Sequence, residues 1–506
     1  MQRVVLGKDM GDVDRYTIQN LSVPSLVLME RAAYQTFLEI KKYYSNTSRV
    51  LVVSGKGNNG ADGIAIARML HLDGWDVALC QGENETGGTK ERTLQMEIYH
   101  NMGGRMATQD EDFGGYDLIV DAIFGVGLKR PVEGFWKTMI ERINQTSKPV
   151  VSVDVPSGVD ATSGKILGVA VKAERTTTFG AYKTGLLLYP GAQYAGWTEV
   201  LDIGFSKNSY AQLSYDMFTY DMCDIVRLPK RSAYSNKGTY GKLSVVAGSK
   251  EICGAAVLSA MAAYRAGAGI VRVYTAKENR VQLQTLVPEA LVTTYEEDPA
   301  DTMEYGSAIV IGPGLGTSDH AKKLLELALK QKKKTVLDAD ALNIISANKE
   351  LTALYHEDVV ITPHLGEMAR LVGKTIKEVR DHLILVAASY AKEYNITVVL
   401  KDARTIVTNG TRTYLNRFGN SGMATGGSGD VLSGICGALV MSMETTFEAA
   451  CMAVFLHSLC GDRAALEVSE YSLMARNLIE QLEKILEENE DGYGHFKEIP
   501  QNICKD

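Results

Sequence analysis

The 506-residue chain has no paired cysteines to anchor a fold or a metal. Its seven cysteines, Cys80, Cys223, Cys253, Cys436, Cys451, Cys460 and Cys504, are dispersed, and no two have metal-site or redox spacing. An odd, scattered set implies reduced thiols in a reducing compartment. An apolar leader is missing, since residues 1–14 mix charge throughout. No run approaches the roughly 18 apolar residues of a membrane span. A cytoplasmic protein with no membrane partner is the expectation. Excess base is missing too: the net charge is −8, without the basic face that nucleic acid requires. With 45% hydrophobic and 23% charged residues, the composition is that of a soluble globular protein. The length exceeds one ordinary core and implies two to four domains.

What is present is alternation. Residues 50–53 read as a buried strand, 61–72 as a helix, 75–80 as a strand, and 118–120 and 150–153 as further strands. Such alternation predicts a parallel sheet covered by helices, with ligands beyond the carboxyl ends of the strands. A polar stretch, residues 221–237, holds Pro229 and several charges and marks a boundary. Beyond it, residues 243–247, 270–274, 308–311, 335–337, 359–361 and 397–400 read as a second series of strands. Residues 429–466 read as a nearly unbroken helical zone rich in Ala, Gly and Met. The tail after Glu487 is acidic and reads as a frayed end.

Three strand ends of the first half carry oxygen-bearing side chains. Gly55-Lys56-Gly57-Asn58-Asn59-Gly60-Ala61-Asp62-Gly63 is a strand-to-helix turn, either purely structural or anion-binding at a helix start. It has no Gly-Lys-Ser/Thr ending and so is not a Walker A loop. Asp121-Ala122-Ile123-Phe124-Gly125-Val126-Gly127 ends a second strand, and Asp121 is either a helix cap or a ligand. Val153-Asp154-Val155-Pro156-Ser157-Gly158 delivers Asp154 into a Pro-Gly turn. Converging Asn, Asp and Ser oxygens suit a hard cation.

These motifs, with Thr178-Phe179-Gly180-Ala181-Tyr182-Lys183-Thr184-Gly185-Leu186, resemble the NAD(P)H-hydrate epimerase domain over about the first 215 residues. The resemblance implies a Rossmann-like three-layer α/β domain over 1–220, a potassium ion on Asn59, Asp121 and Ser157, and a nicotinamide-hydrate substrate. It places that substrate on Asn58-Asn59-Gly60-Ala61-Asp62 and Gly125-Val126-Gly127-Leu128-Lys129-Arg130-Pro131. Asp154 would contact the hydrate and act as the acid/base. Ala61 stands where the family usually has Gly, and would be strained if φ there were positive.

In the second half, Asn420-Ser421-Gly422-Met423-Ala424-Thr425-Gly426-Gly427-Ser428-Gly429-Asp430 precedes a long helix. Small residues at a helix start expose N–H groups to a phosphoryl group, and Asp430 sits ready to accept a proton. The alternative is a glycine connector with an acidic residue on the helix dipole. Residues 311–316, 338–343 and 362–367 each follow a strand and support a nucleotide pocket. His364 is either a satisfied structural histidine or a substrate contact. Together with residues 236–241, 267–272 and 288–289, these motifs resemble the ADP- or ATP-dependent NAD(P)H-hydrate dehydratase, a ribokinase-like α/β domain expected over 225–506. That resemblance places Ala255, Gly314, His364 and Asp430 on the hydrate. It places Lys401-Asp402-Ala403-Arg404-Thr405 and Gly429 on ADP or ATP, with Mg²⁺ neutralising the phosphates. Asp402, where Gly is usual, puts a negative charge near the phosphates, and Asn236 stands where His is common.

The expected partners are small molecules, the NADH and NADPH hydrates and an adenine nucleotide, and the expected assembly is a homo-oligomer. Two rivals differ in class. A small-molecule kinase would release a stable phosphorylated alcohol, and a non-catalytic first half would serve only as a binding module.

Overall fold

The computed structural model describes residues 1–45, 48–82 and 87–490. The acidic tail beyond them, with Cys504, lies outside the described residues. The chain divides into two compact units, the first ending at Ser214 and the second beginning at Tyr215.

The first unit is built on a parallel sheet. Its strands run in the order Arg105–Met106, Asp76–Gln81, Arg49–Ser54, Leu118–Ala122, Val150–Val153, Arg175–Phe179, Trp197–Leu201. Strands such as Val50-Leu51-Val52-Val53 are apolar at every position because both faces are covered. Val50 and Val52 join one buried cluster with helices Ser25–Tyr43 and Asn58–Leu72, while Leu51 and Val53 join another with helix Gly134–Gln145. The expected three-layer α/β arrangement is what forms. The last two strands, which carry Thr and charge, were not anticipated. Outside this seven-stranded sheet, Gln2–Val5 pairs in parallel with Tyr182–Lys183 and sets Val5 opposite Lys183.

The second unit has strands in the order Leu291–Thr294, Ile270–Thr275, Lys242–Val246, Ala308–Ile311, Lys334–Leu337, Val359–Ile361, Thr397–Leu400, Ile406–Thr408, Arg412–Leu415, Asp216–Thr219. They are parallel as far as Thr397–Leu400, after which two antiparallel pairings follow. Asp216–Thr219 pairs with Arg412–Leu415, so residues expected to close the first domain serve the second unit's sheet.

The expected nearly unbroken helical zone is two helices, Ser428–Ser442 and Thr446–Ser472. Met443 is extended, and Thr445 caps the second helix by accepting from Glu448 N. The segment 446–468 is apolar and long enough to cross a membrane by length and composition, which corrects the expectation that no run comes near a span. Polar residues such as His457 break the run in sequence, and most of the stretch is buried in the protein, as in a core helix. All described cysteines are free thiols.

Candidate functional site

In the first unit, a cavity of about 1050 Å³ opens at the carboxyl end of the sheet. Its wall includes Asn58, Asn59, Asp62, the whole of residues 125–131, and Asp154. Gly60 and Ala61 are buried just behind it. Glycines make this junction possible: a Cβ on Gly60 would lie 2.0 Å from Gly55 O, and one on Gly63 would lie 2.4 Å from Ala122 Cβ. Ala61 is helical, its N–H donating to Gly57 O at 3.2 Å, so the replacement of Gly there carries no strain.

Asp121 and Ser157 do not line the cavity but meet beneath its floor. Ser157 Oγ donates to Asp121 Oδ1 at 2.6 Å, and Ser157 N and Ser152 Oγ donate to Oδ2 at 2.9 and 2.8 Å. Phe124 N donates to Ser157 Oγ at 2.8 Å. Asp121 is fully buried and, among the described residues, pairs with no lysine or arginine. Burial pushes its carboxyl above the usual range, and the Ser157 and Ser152 hydrogen bonds oppose that. Asn59 has both side-chain polar atoms buried without a partner. An uncompensated carboxylate and an orphaned amide fit a weakly charged cation, because either is costly to bury alone.

Asp154 has φ +67°, a left-handed conformation that costs a non-glycine residue about 1–2 kcal/mol. Its Oδ1 accepts from Lys183 Nζ at 2.8 Å, and that buried ammonium also donates to Thr178 Oγ1 at 2.8 Å and Phe179 O at 2.9 Å. Lys183 lines the same cavity, as does Asp14 from helix Met10–Gln19. Burial, then Asp154, pushes Asp14 up to about 6, with Lys183 opposing. Asp62 is pushed well above its ordinary value by burial, with Asp154 and Asp14 adding to it. The sequence marks Lys183 only as part of the segment 178–186 and does not mark Asp14, whose helix looks like any charged amphipathic turn.

In the second unit, Asp430 lies in the first turn of Ser428–Ser442, after Gly427 at φ +89°. Burial, then Asp338, lifts its carboxyl to about 7 against the pull of Lys401. Lys401 Nζ donates to Asp338 Oδ1 at 2.7 Å, and Thr362 and Ser433 hydroxyls donate to the same carboxylate at 2.7 Å each. Burial would raise Asp338, but Lys401 and these hydroxyls outweigh it and hold the group below the usual range. A Cβ on Gly429 would lie 3.4 Å from Lys401 Nζ, so Gly429, Lys401 and Asp338 converge at this helix start. Asp338 was legible only as part of a strand-end segment.

The neighbouring strand ends bring in the remaining residues. Lys401 N donates to Pro363 O at 2.8 Å, setting Lys401 beside His364. His364 caps helix Leu365–Val372, its Nδ1 accepting from Gly366 N and Glu367 N. That cap fixes Nε2 as the protonated nitrogen on a half-exposed ring. Burial, then Lys401 and Arg370, lowers its pKa. Gly314 abuts Ala255, where a Cβ would lie 3.1 Å from Ala255 Cβ. Helix Gly254–Arg265 reaches Asp430 through Ser259, whose hydroxyl donates to Asp430 O at 3.0 Å. Asp402 and Ala403 are exposed. Lys401 points inward to Asp338, away from these two.

Residues 243–484 match the family described as NAD(P)H-hydrate dehydratase, and residues 25–185 match the one described as YjeF-related protein N-terminus. A bifunctional NAD(P)H-hydrate repair enzyme of Moorella thermoacetica is 34% identical over 96% of this chain and 97% of its own. Its counterpart in Escherichia coli is 33% identical over 94% and 93%. Among solved structures, a ribokinase-like superfamily protein of Enterococcus faecalis, 29% identical, covers 54% of this chain and 95% of its own, with a TM-score of 0.50. With similarity of that extent running through both units, the chain belongs to the family of bifunctional NAD(P)H-hydrate repair enzymes.

Proposed function

We propose that the first unit interconverts the R and S hydrates of NADH and NADPH, and that the second dehydrates the S form at the expense of ADP or ATP. The observation that carries this reading is the turn at Asp430, where phosphate-seeking N–H groups and a proton acceptor share one helix start. Asp430 takes the proton of the ring hydroxyl as that oxygen is phosphorylated. Phosphate then departs, drawn out by the ring nitrogen lone pair, and the reduced ring is restored. Phosphorylation replaces a poor hydroxide leaving group with a good one. Lys401, neutralised by Asp338, stands where a phosphoryl group meets the helix start.

The N–H groups of that turn hold phosphate. Mg²⁺ would be carried in on the nucleotide. Bound there, Mg²⁺ neutralises phosphate charge. In the first unit, Asn59, Asp121 and Ser157 would hold K⁺, which supplies positive charge beneath the loop of residues 125–131. That loop and Asn58 would cradle the hydrate, and Asp154 would face its ring.

The test supplies mixed R and S NADH hydrate with ADP or ATP in turn and follows the absorbance of reduced nicotinamide. Recovery of both epimers supports the reading, while a stable phosphorylated product would make the second unit a kinase. Asp154→Asn should lose recovery from pure R hydrate and keep it from S. Recovery from R at the wild-type rate, above the spontaneous background, removes Asp154 from the role.

A further inference from the structure

Three acidic residues that line the first unit's cavity, Asp14, Glu91 and Glu133, belong to none of the motifs, and Asp14 feels both Asp154 and Lys183. Met10, Asp14 and Ile18, one turn apart on a single helix, line the cavity together. The chain's start fixes that helix. Val5 pairs opposite Lys183. Gly7 sits so close to Ala161 that a Cβ would lie 2.4 Å from it, and Lys8 N donates to Thr162 Oγ1 at 2.9 Å. From the helix itself, Thr17 Oγ1 donates to Ser209 Oγ at 2.8 Å. The strand that aligns Lys183 thus leads directly into the helix that carries Asp14. Lys183 in turn holds Asp154. Two carboxyl groups from distant parts of the unit's sequence, Asp14 and Asp154, thus line one cavity with the buried Lys183 ammonium.

We propose that Asp14 is the catalytic acid that partners Asp154 in exchanging the ring hydroxyl from one face to the other. The inference rests on the epimerase reading above. From R to S, the Asp14 carboxyl gives its proton to the ring hydroxyl. The C–O bond breaks and its electron pair leaves on water, while the ring nitrogen lone pair forms the second bond of a C=N⁺ iminium. Water adds to the other face and loses its proton to the Asp154 carboxylate. Asp14 ends as carboxylate and Asp154 as carboxyl. The S-to-R direction starts from that state, or the proton returns through solvent. Inverting glycosidases divide the labour of two carboxyl groups in the same way.

The charged and titratable groups around Asp14 are consistent with this division. Asp154 and Lys183 act on it from the sheet end, and Asp62 and Tyr210 feel it from two other helices. Glu30, which also acts on Asp62, is paired with Arg68 at 2.8 Å. With its carboxyl raised to about 6, Asp14 remains a proton donor at pH values where an ordinary aspartate is fully ionised.

The experiment compares wild type with Asp14→Asn, Asp14→Glu and Asp154→Asn, each given pure R or pure S NADH hydrate with ATP, after subtraction of spontaneous exchange. For Asp14→Asn, kcat from R should fall about 10²–10⁴-fold with KM little changed and S dehydration unaltered. Asp14→Glu should restore most of it. Wild-type epimerisation should decline as pH rises through about 6, and residual Asp14→Asn activity should lack that decline. In ¹⁸O-water, wild type should place the label in the hydroxyl of the product epimer. Asp14→Asn with wild-type R recovery and an unchanged pH profile, beside an inactive Asp154→Asn, overturns the role of Asp14 and leaves the epimerase reading standing. Wild-type recovery by both Asn variants would overturn the reading itself.

Discussion

Asp430 illustrates what burial does to one carboxyl. Lifted to about 7, it accepts a proton only when ionised, so dehydratase kcat/KM on S hydrate should fall as pH drops below about 7 and level off above it. Asp430→Asn should lower that activity about 10²–10⁴-fold and leave R/S exchange intact; turnover near wild type would remove its role. The same shift has a stability consequence. A carboxyl whose folded pKa lies above its ordinary 3.8 binds more protons folded than unfolded, so stability is lost as pH rises from one value to the other. Asp430→Asn should therefore raise Tm, with a gain that grows over that window and is constant above it. The position of Asp430 at a helix start was readable from sequence because small residues crowd in front of it. Asp338 and Lys183 were not assigned roles, since a buried ion pair leaves no spacing pattern. Each is recognisable only once a partner 63 or 29 positions away has folded against it.

At the scale of elements, the glycine-rich turns and the valine-rich strands were legible because each follows from local chemistry. The strand Asp216–Thr219 was not. Asp216–Thr219 is short and mixed, and its partner Arg412–Leu415 lies some two hundred residues on. Yet Phe218 is 5% exposed and meets the Tyr414 ring at 5.7 Å, while Tyr220 meets it at 4.8 Å. Phe218→Ala should destabilise the second unit by about 3–5 kcal/mol, measured by denaturant unfolding. It should leave the unfolding of the first unit unchanged. A dehydratase fragment begun at Asp221 should be less stable than one begun at Tyr215; equal midpoints would show the strand to be dispensable. The polar run of residues 221–237 was the most conspicuous break in composition. The chain divides before it because strand pairing, which composition does not record, decides membership of a sheet.

At the scale of the molecule, two chemistries lie on one chain, and the S hydrate is the product of one and the substrate of the other. Asp154→Asn and Asp430→Asn proteins, each unable to recover NADH from R hydrate, should recover it when mixed, as the S form passes between them through solution. Failure of the mixture, with each surviving activity verified alone, would show that the intermediate does not leave the chain. The long helix Thr446–Ser472 bears on how such a chain comes into being. It is buried along most of its length in the cluster that holds Tyr414 and Phe455, and translation delivers it after every strand it covers. On the ribosome, the first unit has all its described residues by Ser214 and can close while synthesis continues. The second unit waits with an apolar sheet face bare until its final quarter emerges, the interval in which a nascent chain most needs a chaperone. A message cut short before that helix would yield a working epimerase joined to an aggregation-prone stub.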